Sequence, residues 1–247
     1  MDDAVRLRFA ATEVAGLRAL AGADDRLRER RDELRLWQAR RLASTHADLL
    51  AQPRYAEATR FFLDELYGAK DFSQRDAELA KVIPALVRFL PRSALATIAD
   101  AIELDALSER LDLAVCRVIE ADPANHGQPV DTALFASAYV RAGSRTDRER
   151  QIDLVDHIGR TLDSLVRHPM IGTLLGAMSR PAKLAGVGAM HSFLESGFRT
   201  FAAMRGADDF LSRVCSREAE VMRRLYNGDP DPFRPYDQAS VVRDSAA

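Results

Sequence analysis

His191 and Glu195 stand four residues apart, the spacing that puts an imidazole and a carboxylate on one face of a helix. Such a pair can share a proton or hold the polar end of a bound molecule. His191 also falls in the series Leu184, Val187, His191, Leu194, Phe198 and Phe201, spaced three and four apart, so it should face the interior. An imidazole there needs hydrogen-bond partners and tends to be neutral. Two readings follow. His191 is a satisfied core histidine, or it is the polar group of a pocket walled by Met190, Phe193, Phe198 and Met204, with Glu195 at the rim. His157 follows Asp153 by four and reads as a surface acid–imidazole pair. Were two helices to bring Asp153 and His157 against His191 and Glu195, two nitrogens and two oxygens would suit a divalent cation. Nothing in the spacing sets that orientation, so no metal site is assigned.

Other chemistries fail on spacing. A ferritin-like di-iron bundle needs Glu three residues before His, and those positions hold Ala43, Pro123, Leu154, Leu165 and Gly188. There is no His-Glu-x-x-His pair, no cysteine pair with zinc-finger spacing, no P-loop and no nucleophile elbow. Gly186 and Gly188 begin like a dinucleotide fingerprint but lack its third glycine and a preceding strand. Asn227, Asp229 and Asp231 start like a calcium loop, yet Pro232 and Gln238 occupy its glycine and glutamate positions. His168, alone before Pro169, does not support a haem. No cofactor is expected.

A short signature stands out: Phe61-Phe62-Leu63-Asp64-Glu65-Leu66-Tyr67-Gly68, then Lys70-Asp71-Phe72-Ser73. With His191-Ser192-Phe193-Leu194-Glu195-Ser196-Gly197-Phe198, it resembles an uncharacterised bacterial family marked by an "FFLEELY" motif, over roughly Leu34 to Tyr226. Asp64 replaces the motif's Glu and keeps the carboxylate. The resemblance implies no established activity. Phe62 and Leu66 fit an apolar stripe closed by Gly68, a packing role. Asp64, Tyr67, Lys70 and Asp71 would form a polar surface at the following loop, readable by a protein partner.

Composition narrows the classes. The 247 residues carry 35 Lys and Arg against 37 Asp and Glu, so no global field attracts nucleic acid or an anionic membrane. Only Lys70, Lys81 and Lys183 are lysines. Cys116 and Cys215 frame neither a disulfide scaffold nor a metal knuckle and read as buried thiols in a reducing cytoplasm. The N-terminus lacks the order of a signal peptide, and no run of 18 apolar residues occurs. A cytoplasmic protein without an integral membrane segment is expected.

The elements that must position these residues are helices; alternating strand runs are missing. Val5 to Leu20 forms the first helix, and Asp24 and Asp25 open a long one to about Ala51. Arg26, Arg28, Arg30, Arg31 and Arg35, interleaved with Glu29, Asp32 and Glu33, read as a solvated face laced by i,i+4 pairs. Pro53 starts a short helix through Leu66. Ser73 and Asp76 open the next, and Pro84 should kink it near Ala80. From Ser93 to Glu120 two stripes, Leu95-Ile98-Ile102 and Leu104-Leu107-Leu111-Ala114-Val115-Val118, are out of phase, which predicts a bend or break around Glu103 to Asp105. Asp131 caps a helix to Arg141, Thr146 and Glu149 make a capping box, and Ile152, Val155, Ile158, Leu162 and Leu165 follow at a clean period. A glycine-rich stretch spans Ile171 to Gly206, and a final helix runs from Asp208 to Tyr226. The expected architecture is an all-α irregular bundle of eight or nine helices, one domain over about residues 3–228, with a flexible tail at 229–247.

Three functions suit that frame. The first is a non-enzymatic module for protein interaction or self-assembly, as a homo-oligomer or with a protein partner. The second binds an apolar small molecule or lipid near His191, and the third is an enzyme with an unfamiliar site.

Overall fold

The computed structural model describes residues 2–66, 78, 81–84, 87–88 and 92–234, and among these the chain is helical, with no strand. The helices are α1 (Asp3–Gly22), α2 (Asp25–Thr45), α3 (Ala47–Ala51), α4 (Ala56–Phe61), α5 (Arg92–Glu120), α6 (Thr132–Ala142), α7 (Arg145–Leu165), α8 (Pro169–Leu184), α9 (Gly188–Met204) and α10 (Asp208–Tyr226). The wider-wound π turn Phe62–Leu66 extends α4, and a 3₁₀ turn, Pro123–Asn125, follows α5. The chain thus breaks into more and shorter pieces than eight or nine helices, because the long second helix ends at His46 instead of running to Ala51. None of the helices is long and apolar enough to cross a membrane, among the described residues. The cap at Ser73, the kink near Ala80 and the closing Gly68 lie outside those residues.

Local chemistry accounts for most boundaries. Asp24 accepts hydrogen bonds from the amides of Arg26 and Leu27, and Asp131 accepts one from Leu134, each satisfying a free donor of a helix start. The start of α7 differs from expectation. Ser144 caps it by accepting from the Asp147 amide, and Glu149 pairs with Arg145 instead of closing a box with Thr146. At the far end of α9, Arg205 takes the left-handed conformation (φ 52°), and the Arg54 guanidinium donates to the Met204 and Gly206 carbonyls. Buried Asp163 of α7 accepts from the Ala207 amide, so one helix caps the start of another.

α5 is the common post: α1, α2, α6 and α7 all pack on it. It runs unbroken through Glu103–Asp105, where a bend or break was expected. Its two stripes serve different cores instead. Leu95 and Ala99 join Leu7, Ile83 and Met190, whereas Val115, Cys116 and Ile119 join Leu34, Phe135, Tyr139, Val221, Met222 and Leu225. A third cluster gathers Leu49, Tyr55, Ala58, Phe201, Met204, Phe210 and Leu211. Glycine permits close crossings here. A Cβ on Gly159 of α7 would collide with the Leu211 side chain of α10. The chain also stays packed past Gly228: Phe233 lies 5.6 Å from Trp37, ring to ring, and the Arg234 carbonyl accepts from Arg224.

Arg26 and Arg28 of α2 are exposed, and Arg28 pairs locally with Asp25, but Arg30, Arg31 and Arg35 are not on a solvated face. Arg30 is only 5% exposed and donates to Glu33, to Glu120 and to the Asn125 and Gln128 carbonyls. Arg31 forks onto Glu109 of α5, which also accepts from Arg18 of α1. Arg18 reaches Asp105 at 2.9 Å, and Arg6 reaches Asp100 at 2.5 Å and Glu103 at 2.9 Å. Burial pushes the Glu109 carboxyl up, but the Arg31 hydrogen bonds and nearby guanidiniums outweigh it and hold it below the ordinary value. Glu109→Gln strands two partly buried guanidiniums and is expected to cost about 3–5 kcal/mol in urea unfolding at neutral pH. A loss under about 1 kcal/mol, the worth of an exposed pair, contradicts this account.

Candidate functional site

Where the clusters around Phe135 and Phe210 meet, the bundle leaves a cavity between α2, α4 with its π turn, α5, α6, α7 and α10. It offers about 80 Å³ to the centres of water-sized molecules, room for roughly five to eight waters. The apolar wall includes Leu42, Phe62, Leu63, Phe135, Ile152, Val155, Phe210 and Val214. Among these sit Gln38, Arg41, His46, Asp112, Arg148, Gln151, Cys215 and Glu218. The signature therefore reaches the cavity: its Phe62 and Leu63, set on the π turn, form part of the wall.

Glu218 of α10 is gripped from two sides. Arg41 Nη1 donates to both of its oxygens at 2.6–2.7 Å, and His46 Nε2 lies 3.2 Å from Oε1. Burial raises the Glu218 carboxyl, but Arg41 and His46 together overcome that and hold it down to about 2. Asp112 moves the opposite way. Burial pushes it up against the field of Arg148 and a 2.9 Å hydrogen bond from Gln38. Burial also pushes the Cys215 thiol and the Tyr139 hydroxyl up to about 12 each. The thiol is thereby kept from its nucleophilic form, and Glu218 is held as a weak base. Three buried nitrogens around the cavity, Arg41 Nε, His46 Nδ1 and Arg148 Nε, have no hydrogen-bond partner among the described residues. The arrangement suits holding a polar molecule better than attacking one.

The residues expected to form a pocket lie elsewhere. His191 is buried, and its Nε2 is 2.8 Å from the Leu175 carbonyl, tying α9 to α8. Glu195 is exposed, 3.8 Å from His191 Nδ1. Phe198 turns toward α8, where a Cβ on Gly172 would come within 3.1 Å of its ring. Met190 points into the cluster with Leu7, Leu95 and Ala99, and its amide donates to Glu78. His191, Glu195, Phe198 and Met190 are thus near one another on α9, but none lines the cavity. His157 pairs across helices with Asp100 at 3.4 Å, not with exposed Asp153. Among the described residues, no group of three or more His, Cys, Asp or Glu is placed to hold a metal ion. Asp64 is exposed on the π turn, whereas Tyr67, Lys70 and Asp71 lie outside the described residues. Phe61 packs: its ring stacks on Phe193 at 5.5 Å and lies over Gly197.

The cavity's polar residues had a signal of their own. Gln38 sits between Leu34 and Leu42 at four-residue spacing, Arg148 precedes Ile152 by four, and Glu218 falls between Val214 and Met222. Each occupies an apolar position of its helix, which marks a polar group turned inward. Read as charges, they pass for surface residues; read by register, they converge.

The Glu218 pairing has a pH signature. Its folded value lies below the ordinary 4.5, so its stabilisation is full above 4.5 and is lost as pH falls toward about 2. Glu218→Gln is expected to be less stable than the parent by about 3–5 kcal/mol at neutral pH. The gap should shrink across that acid window in denaturant titrations; a gap that stays constant from neutral pH down to the lower limit would contradict the assignment.

No curated protein and no solved structure matches the chain. A family model does, over residues 17–232, from within α1 to just past α10, so the whole cavity lies inside the match. The protein belongs to the family described as "Domain of unknown function (DUF8198)".

Proposed function

We propose that this protein is a cytoplasmic binder of a small molecule, and that its site is the central cavity and not the surroundings of His191. The observation that carries the reading is the composition of the wall: an apolar cavity with convergent polar groups, several of whose buried nitrogens lack partners. The resemblance of Phe61 to Gly68 to the bacterial "FFLEELY" family fits it, since Phe62 and Leu63 stand in that wall. The free thiols of Cys116 and Cys215 fit a reducing compartment. A volume of about 80 Å³ for water-sized centres suits a small molecule. Val155→Phe places an aromatic ring in the cavity at a cost of about 1–3 kcal/mol. Small-molecule library members that raise the melting temperature of the parent should have no effect on Val155→Phe, since a ligand at a hundred times its Kd adds about 2.7 kcal/mol only where it can bind. Hits that stabilise both proteins alike place binding outside the cavity.

A second reading, self-assembly, is favoured by α8. Met170, Leu174 and Leu184 of this helix are 83%, 38% and 90% exposed, and Ala182 is its one buried residue. Apolar side chains on one helix face suit a second copy of the chain. Light scattering should then give a concentration-dependent mass that Met170→Ser with Leu184→Ser returns to the monomer. A monomer at every concentration removes the reading.

A further inference from the structure

We propose that the cavity's ligand carries a carboxylate, and that Arg148 receives it. This rests on the reading of the cavity as a binding site and goes further by naming the ligand's chemistry.

Four arginines are buried among the described residues: Arg30, Arg148, Arg217 and Arg224. Three are matched. Arg30 meets Glu33 and Glu120, Arg217 forks onto Asp48 at 2.5 and 2.8 Å, and Arg224 meets Glu220 at 2.7 Å. Arg148, 5% exposed, has no ion pair among the described residues. Its single hydrogen bond is a long one, 3.4 Å from Nη1 to the Gln151 side-chain oxygen, and its Nε is sealed without a partner. One face of the guanidinium stacks on the Tyr139 ring at 4.3 Å. A desolvated cation with most of its donors idle is costly, and the structure directs it to the cavity wall.

The carboxylates already in the cavity make no ion pair with it, although Asp112 lies within its field. Glu218 is committed to Arg41 and His46, and Asp112 is bonded to Gln38. What remains is a planar fork of donors beside a small pocket. A carboxylate matches that fork with two parallel hydrogen bonds. A phosphate dianion fits less well, because a single free guanidinium would have to balance it beside Asp112. The ligand's body would rest on Phe62, Ile152 and Val214, which present only carbon to the space. The class is therefore a small monocarboxylate with an apolar body.

The test uses the full-length protein with benzoate and cyclohexanecarboxylate as carboxylate probes, and benzamide and benzyl alcohol as neutral ones of the same shape. Binding is read by ligand-detected NMR and calorimetry in the parent, Arg148→Met and Val155→Phe. The expected result is a preference of about tenfold or more for the carboxylates, lost in Arg148→Met and with all binding lost in Val155→Phe. Stability of the ligand-free protein supplies a second readout. Arg148→Met should unfold at the same or higher denaturant concentration, because it removes an unmatched buried charge. A clear destabilisation would show that Tyr139 and the surrounding field already satisfy Arg148, overturning the proposal. Equal binding of carboxylates and neutral probes, still blocked by Val155→Phe, would overturn the carboxylate assignment and keep the cavity as a binding site. No binding by any probe, or binding that Val155→Phe leaves intact, would overturn both.

Discussion

The fold depends on guanidinium–carboxylate pairing between helices, and α5 is where most of it is organised. Asp100, Glu103, Asp105, Glu109 and Glu120 stand along this helix and are met by Arg6, Arg18, Arg30 and Arg31 from α1 and α2, and by Arg150 from α7. Apolar packing is tolerant of small slides between helices; a forked hydrogen bond is not. The pairs therefore set which residues of neighbouring helices lie level. Where such a pair is buried, as at Glu109, its own net contribution is modest, because desolvation offsets much of the attraction. The larger effect is that a shifted register would leave charges unmatched.

The cavity is bounded by some of the same helices, α2, α5 and α7. Between the clusters of Phe135 and Phe210 the remaining space is lined by polar groups, a lining that suits water or a ligand more than further side-chain packing. Both Glu218 and Asp112 are pushed up by burial; Arg41 and His46, bonded to Glu218, outweigh it there, whereas the field of Arg148 and the Gln38 amide do not outweigh it at Asp112.

Much of the fold was legible along the chain. The caps at Asp24 and Asp131, the clean period of α7 and the final helix from Asp208 to Tyr226 follow from residue types within a turn or two, and they hold. Two misses are local, the Ser144 cap taken for a Thr146–Glu149 box and the end of α2 at His46; the others are non-local. Out-of-phase stripes in α5 require a bend or break only if one partner is assumed; with two cores to serve, a continuous helix presents both. An Arg-rich run beside Glu and Asp is ambiguous between local pairs and pairs with another helix, and only the crossing of α2 on α5 decides it. The cavity was missed for the same reason. His191 draws notice as a lone polar residue in a stripe, whereas Arg148 and Glu218, equally placed in stripes, are hidden by the abundance of charge around them.

The scarcity of lysine acquires a meaning from this architecture. Every interhelix ion pair among the described residues has arginine or histidine, and never lysine, on its basic side, and the described lysines, Lys81 and Lys183, are both exposed. A guanidinium keeps its charge far into the alkaline range and resists the acylating agents that neutralise amines. Acetylation, whether enzymatic or chemical, could thus strip this protein of its accessible amines and leave its internal scaffold of charge intact.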